Sequence, residues 1–572
     1  MTRNVTLAAV LTAMLAIPAV ATEAQNISDI AKSDPLIITG AVGTQNTYHH
    51  TSSGMGYASP WSSMFYANLN VSLYGISMPF SISYSNSNWE YNYPHFTLSL
   101  TPQYKNWTGY IGQSTMDMSS YVMNMGFNGV GVEYQTDRFR SGLFYGVLRK
   151  AINDDPADPL ARTPQMKRVG WGFKIGYGSG RNYLDLYLLR AYDQPNSIDE
   201  HWRKSLSPQE NLVVGLRGGV APLSWLSFTA NAAISAFNTD RTAPKVDSLQ
   251  GGGLFTTRYS SLARFAGDVN ANISLAGINA SLTYRLVQPD YTSLGTYYMS
   301  NNYHSLGITL STMLMRRIAL SATFSGQADN LTKRQLYTTK GYVYGAYAST
   351  RLGNHFNLSA SYNGFLQNQS DGTAQVTEDT RVHRRTSSFT ITPSYNTESE
   401  TLGHTVSLSA AYTSNTDLNK LSTGETDVKS LALGAAYDLG VKPWEVNFIF
   451  SLNHQQSRGY KTKYTSDIAS VGVTRSFLKE KNLSLSANAS LCYNEVERQS
   501  KSMSIGGNLS ASYSLKKVHV FTAQASFNKY GDVNITKTRG SLDETDVSVS
   551  FSYVYTFSLL AIKNKATKNT EQ

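Results

Sequence analysis

Val547-Ser548-Val549-Ser550-Phe551-Ser552-Tyr553-Val554-Tyr555-Thr556-Phe557-Ser558-Leu559 is the stretch that decides the fold. Its apolar residues, Val547, Val549, Phe551, Tyr553, Tyr555, Phe557 and Leu559, take every second position, and the gaps are filled by hydroxyl residues and Val554. Successive side chains of a strand point to opposite faces, so one face here is apolar and aromatic and the other is nearly all hydroxyl. A helix, with its period of 3.6, would scatter the same residues around its circumference. The pattern recurs upstream. Leu483, Leu485, Ala487, Ala489 and Leu491 alternate with Ser484, Ser486, Asn488 and Ser490, and Leu509, Ala511 and Tyr513 alternate with Ser510 and Ser512. Leu226, Phe228 and Ala230 do so with Ser227 and Thr229, and Phe356, Leu358 and Ala360 with Asn357 and Ser359. Such runs of about 9–15 residues are long for a globular sheet and suit a tilted crossing of a bilayer. Small polar residues on the second face suit a wet lumen; a soluble sandwich would put large apolar residues inward and charges outward.

Composition narrows the class in the same direction. The 572 residues are 41% hydrophobic and 12% aromatic but only 15% charged, against about 25% charged in ordinary soluble domains. The aromatic content excludes a disordered chain. No internal apolar run reaches the roughly 18 residues that a spanning helix needs. A membrane β-barrel, whose strands are only half apolar, meets all these conditions. At the N-terminus, Arg3 precedes the apolar run Val5–Ala21, which ends in Ala19-Val20-Ala21. That is the form of a secretory signal peptide over 1–21, with 24 as an alternative end, followed by a short periplasmic segment over 22–35.

The links between strands alternate in length. Gly180-Arg181-Asn182, Ala276-Gly277, Met315-Arg316, Leu352-Gly353-Asn354 and Lys516-Lys517 are tight turns, whereas 152–168, 196–210, 239–262 and 532–545 are long and polar. Short periplasmic turns and long external loops are the habit of outer-membrane barrels. The expectation is an all-β chain: one large transmembrane antiparallel β-barrel over 36–560, with about 26 strands (range 22–28) and no globular plug domain. The first strand is expected at Leu36–Thr47 and the last at Val547–Leu559. Between Met116 and Phe127 the alternation fails, which points to a re-entrant or distorted piece.

These strands, rich in Tyr, Asn and Ser and joined by short and long links in turn, resemble outer-membrane β-barrel proteins of Gram-negative bacteria, and in texture the large barrels of the Bacteroidota. The resemblance covers nearly the whole chain beyond the leader and rests on pattern rather than on a motif. It implies a place in the outer membrane, in contact with its lipid. Many such barrels end at an aromatic residue that assembly machinery reads, whereas here Phe557 is followed by fifteen residues. The stretch 561–572 reads as a flexible basic periplasmic tail.

Chemical motifs are sparse. The lone Cys492 reads as a small residue in a serine's place on the lumen face. His49-His50 and His383-Arg384-Arg385 lack the neighbouring carboxylates or thiols of a metal site, so no metal or cofactor is expected. Neither GxSxG nor HExxH occurs in a convincing setting, so no catalytic residue is assigned and the chain is not expected to be an enzyme. The net charge of +10 is spread without a basic run, which argues against nucleic acid as a partner. Lys174, Arg217 and Arg285 fall on the polar face of their strands with Glu133, Asp185 and Asp268. These six are candidate lumen charges, able either to tune the selectivity of a pore or to pair with one another in the wall. Trp171, Trp225, Trp444 and Tyr513 fit interfacial girdles.

An open lumen of about 26 strands would breach the membrane, since barrels of 22 are already plugged. Loop 239–262, with its Gly251-Gly252-Gly253, is the expected internal constriction. The leading function is therefore a solute channel narrowed by its own loops. The alternatives are the barrel of a secretion or surface-assembly machine, plugged by a periplasmic or lipoprotein partner, and a surface receptor or adhesin.

Overall fold

The computed structural model describes residues 36–52, 60–74, 76–86, 96–154, 162–251, 253–478, 480–532 and 544–562. The proposed leader over 1–21, the segment over 22–35 and the tail from 563 on lie outside them; residues 561 and 562, expected in the tail, are instead the end of the last strand, with Ile562 paired to Leu36. Each barrel strand runs antiparallel to the one before it. The sheet has 27 hydrogen-bonded segments, of which Phe96–Leu100 and Gln103–Tyr104 lie between the same two neighbours, Ile76–Ser85 and Trp107–Ser114. They are one strand interrupted at Pro102, which has no N–H to give to the ladder. The barrel therefore has 26 strands, as the alternation predicts.

Closure occurs at the stretch quoted first. Leu36–Thr51 pairs with Glu544–Ile562 from Leu36↔Ile562 to Thr51↔Asp546, with Phe551 opposite Asn46 and Tyr553 opposite Thr44. No edge is left unpaired, which a sheet in hydrocarbon requires. Both strands run past the limits expected from alternation. His49 and His50 still pair with Ser548 and Val547, and the Thr51 hydroxyl donates to Glu544 Oε1 at 2.6 Å. Backbone pairing continues where the side-chain pattern has stopped.

An even strand number puts both ends of the barrel chain at the rim of short turns. Three of these turns hold two consecutive left-handed residues: Ala276-Gly277 (φ 52° and 80°), Met315-Arg316 (51° and 57°) and Lys516-Lys517 (53° and 60°). That geometry matches the right-handed twist of the flanking strands. Trp225, Trp444 and Tyr513 lie near this rim and Trp171 lies nearer the other.

The two faces separate as the period requires. Leu186, Leu216, Ile234, Val269, Leu485 and Leu509 point outward and are exposed. On the other face hydroxyls meet across strands, Ser486 with Ser510 at 2.6 Å, Ser451 with Ser470 at 2.6 Å and Ser430 with Ser457 at 2.7 Å. A buried cluster occupies one side of the interior only. Phe127, Phe144, Tyr187, Val213, Ala266 and Val287, all inward-facing, are closed off from solvent.

Candidate functional site: an inward segment pinned to the lumen wall

What covers that side of the wall is the connection between the strands Trp107–Ser114 and Phe127–Gln135. Its sequence, Thr115-Met116-Asp117-Met118-Ser119-Ser120-Tyr121-Val122-Met123-Asn124-Met125-Gly126, has no strand period. Its methionines do the packing: Met116, Met118, Met123 and Met125 are buried with Val122 and Tyr121 in the interior cluster. Thioether side chains, unbranched and polarizable, fit an irregular gap between curved walls. The segment lies on the face that carries Lys174, Asp185 and Arg217, opposite the apolar face of Ile175, Leu186 and Leu216, so it is inside the barrel.

A second connection, 288–302, enters from the same rim and clips it. Asn124 and Met125 donate their N–H groups to Gly295 O at 3.1 and 3.2 Å. The Ser293 hydroxyl donates to Val122 O at 2.5 Å and the Tyr291 hydroxyl to Tyr121 O at 2.8 Å. Asn211 on the wall accepts from the Leu294 N–H at 3.0 Å. Gly215 faces Val122 so closely that a Cβ at 215 would collide with the valine methyl. Here the missing side chain is what lets the segment reach the wall.

The six lumen charges expected from sequence all point at this segment or at one another. Register places Arg140, Gly176, Asp185, Arg217, Asn231, Asp268 and Arg285 in one row across seven strands. Gly176 leaves room in that row for Arg140 to reach Asp185 over the intervening strand, with Nη2 to Oδ1 at 2.7 Å. Arg217 contacts Asp185 at 3.4 Å and Asp117 of the segment at 2.9 Å. Lys174 is bonded to Glu133 at 2.6 Å and donates to Asp117 O at 3.1 Å. Glu133 also accepts from the Tyr110 hydroxyl at 2.8 Å. Further along the row the Ser119 hydroxyl donates to Asn231 Oδ1 at 2.7 Å and the Tyr121 hydroxyl to Asp268 Oδ1 at 2.6 Å. Arg285 lies opposite Asp268 and beside Tyr303.

Electrostatics reinforces these contacts. Burial by itself would raise the Asp117 carboxyl; the Arg217 hydrogen bond and charge, with Lys174 and Arg140 nearby, more than offset this and hold it below its ordinary value. Burial and the Asp268 hydrogen bond push the Tyr121 phenol up, so it stays protonated and donates. The cations Arg140, Lys174, Arg217 and Arg285 thus face the anions Glu133, Asp185, Asp268 and Asp117. Arg140, Asp117 and Tyr121 were not singled out from sequence. A charge set among methionines, in a stretch whose strand pattern fails, was the available signal for Asp117.

The loop expected to form the constriction does something else. Within 239–262, the hairpin of Lys245–Gly251 and Phe255–Arg258 lies at the strand ends. Asn238 Nδ2 donates to Thr256 O at 2.9 Å, and Arg258 Nη1 closes back on Ala243 O at 2.7 Å. Next to it is a rim network in which Arg168 and Arg149 hold Asp193, at 2.8 and 3.4 Å, and Arg190 and Arg241 hold Glu210, at 2.9 and 3.6 Å. A loop rich in polar groups finds its partners among these rim charges, whereas the Met-rich connection finds its partners inside. Among the described residues no His, Cys, Asp or Glu group has the geometry of a metal site. The Cys492 sulfur lies 3.8 Å from Ser466 Oγ and 3.5 Å from Asn494 Oδ1, a serine-like setting on the inner face.

No protein-family model and no curated protein matches the chain. Among solved structures it is similar to Acinetobacter baumannii OccAB2, at 11% identity and a TM-score of 0.31 over 61% of this chain and 92% of that one. It is similar at 11% identity to Pseudomonas aeruginosa OccK8 (OprE), with a TM-score of 0.31 over 69% and 97% of the two chains. The translocation pore of the P pilus usher PapC gives 11% identity and a TM-score of 0.24 over 91% and 99%.

Proposed function

We propose that this protein is a solute channel of the bacterial outer membrane, narrowed from one side by the segment 115–126. The observation that carries the reading is the asymmetry of the interior. The segment and its clip cover the wall from Trp107–Ser114 round to Tyr303–Leu314, while inner-facing residues elsewhere, such as Thr323, Asn363, Asn453 and Asn508, are exposed. The apolar outer face supports a place in a bilayer, and a wet, polar inner face supports passage of water-soluble molecules. In this reading the inner charges hold the constriction rather than select ions, because each has an opposite charge or a segment hydroxyl as its partner.

The test is conductance of the purified protein in planar bilayers, with co-purifying proteins identified in the same preparation. Steady ohmic openings from the protein alone are expected. A silent barrel that carries a stoichiometric partner would instead support a plugged secretion or assembly component. A silent barrel whose rim loops bind a ligand would support a receptor.

A further inference from the structure

The wall that the segment leaves uncovered differs in chemistry from the wall it covers. At mid-height its inner face presents hydroxyl and carboxamide groups, with Thr323, Asn363, Ser409, Asn453, Asn488 and Asn508 exposed there. Among the described residues of the strands from Tyr303–Leu314 to Glu544–Ile562, inner-facing charges fall near the strand ends. Asp329, Arg351, Asp371, Glu398 and Asp417 lie in the last or next-to-last positions of their strands, Arg384 and Glu544 in the first or second, and Asp438 and Asp546 are only slightly further in. Aromatic rings stand among the amides. Tyr347 and Phe365 face the lumen with 44% and 40% of their surface exposed, on either side of Asn363 and its neighbours. Among the described residues the inner-facing charges at mid-height are all on the covered side, where they are balanced and occupied.

We infer that this uncovered wall makes the lumen a path for uncharged, polyhydroxylated solutes, that is, sugars and short neutral glycans, with little preference between small cations and anions. The inference rests on the channel reading above. Hydroxyls and carboxamides both donate and accept hydrogen bonds, as do the hydroxyls of a sugar, so water leaving either surface is replaced in kind. A half-exposed ring offers an apolar face to the C–H face of a pyranose and costs little ordering entropy. Charge selectivity needs unpaired charges along the path, and among the described residues the inner face of the open wall has none at mid-height.

Two measurements on the full-length protein test this. In bilayers under a KCl gradient, the reversal potential is expected near zero. In proteoliposomes, raffinose is expected to enter at least as fast as gluconate or arginine. The double variant Asn488→Asp, Asn508→Asp places two carboxylates directly opposite each other on the inner face, and it is expected to shift the reversal potential toward cation preference. A strongly cation- or anion-selective wild type, exclusion of raffinose while the charged solutes pass, or a double variant with unchanged selectivity would each overturn the inference. A protein that passes neither ions nor sugars would overturn the channel reading and this inference with it.

Discussion

Lys174→Met is expected to destabilise the barrel by about 3–5 kcal/mol, the usual cost of stranding one member of a buried ion pair. Lys174 and Glu133 are 2.6 Å apart, with side chains only 7% and 11% exposed. Methionine keeps most of the volume but leaves the Glu133 carboxylate with only the Tyr110 hydroxyl, and it removes the hydrogen bond to Asp117 O. The double variant Lys174→Met, Glu133→Gln should recover most of the loss, since neither charge then remains buried. Urea unfolding in detergent micelles, followed by the heat-modified shift on gels, measures both. A single variant within about 0.5 kcal/mol of wild type, the range of an inconsequential surface change, would show that the pair is far better hydrated than its burial implies.

Leu509→Arg is expected to impair membrane assembly strongly and Ser510→Arg only weakly. Leu509 is opposite Ala487 on the outer face at the middle of the membrane-facing stretch, and Ser510 is opposite Ser486 on the inner face with their hydroxyls 2.6 Å apart. An arginine facing lipid near the midplane costs about 2–4 kcal/mol, and one facing a wet lumen costs much less. A folding assay into lipid vesicles reads the difference directly. Equal tolerance at the two positions would mean that the faces are assigned the wrong way round.

The fold was legible because a strand's period is local. The alternation at Val547–Leu559 or Leu483–Leu491 depends on nothing outside the strand, so strand number and facing follow from the sequence. Ladder ends were less legible, since His49 and His50 pair through backbone groups common to every residue. The inner-facing charges could be read by parity, but their partners could not. Arg217 meets Asp117 across 100 residues of chain, and Tyr121 meets Asp268 across 147. Both the Met-rich connection and loop 239–262 break the strand pattern. Only the long-range fit of Val122 against Gly215, and of Ser119 against Asn231, shows which of them goes inside.

Residues 115–126 lie in the lumen, and in the proposed function they restrict it. The most direct measurement is single-channel conductance of the wild type against a variant in which Met118–Met125 is replaced by a short Gly-Ser link, both checked for intact barrel by heat-modified gel migration. A larger unitary conductance is expected for the variant, with unchanged assembly. An equal or smaller conductance from an intact variant barrel would contradict it, and would place the constriction elsewhere.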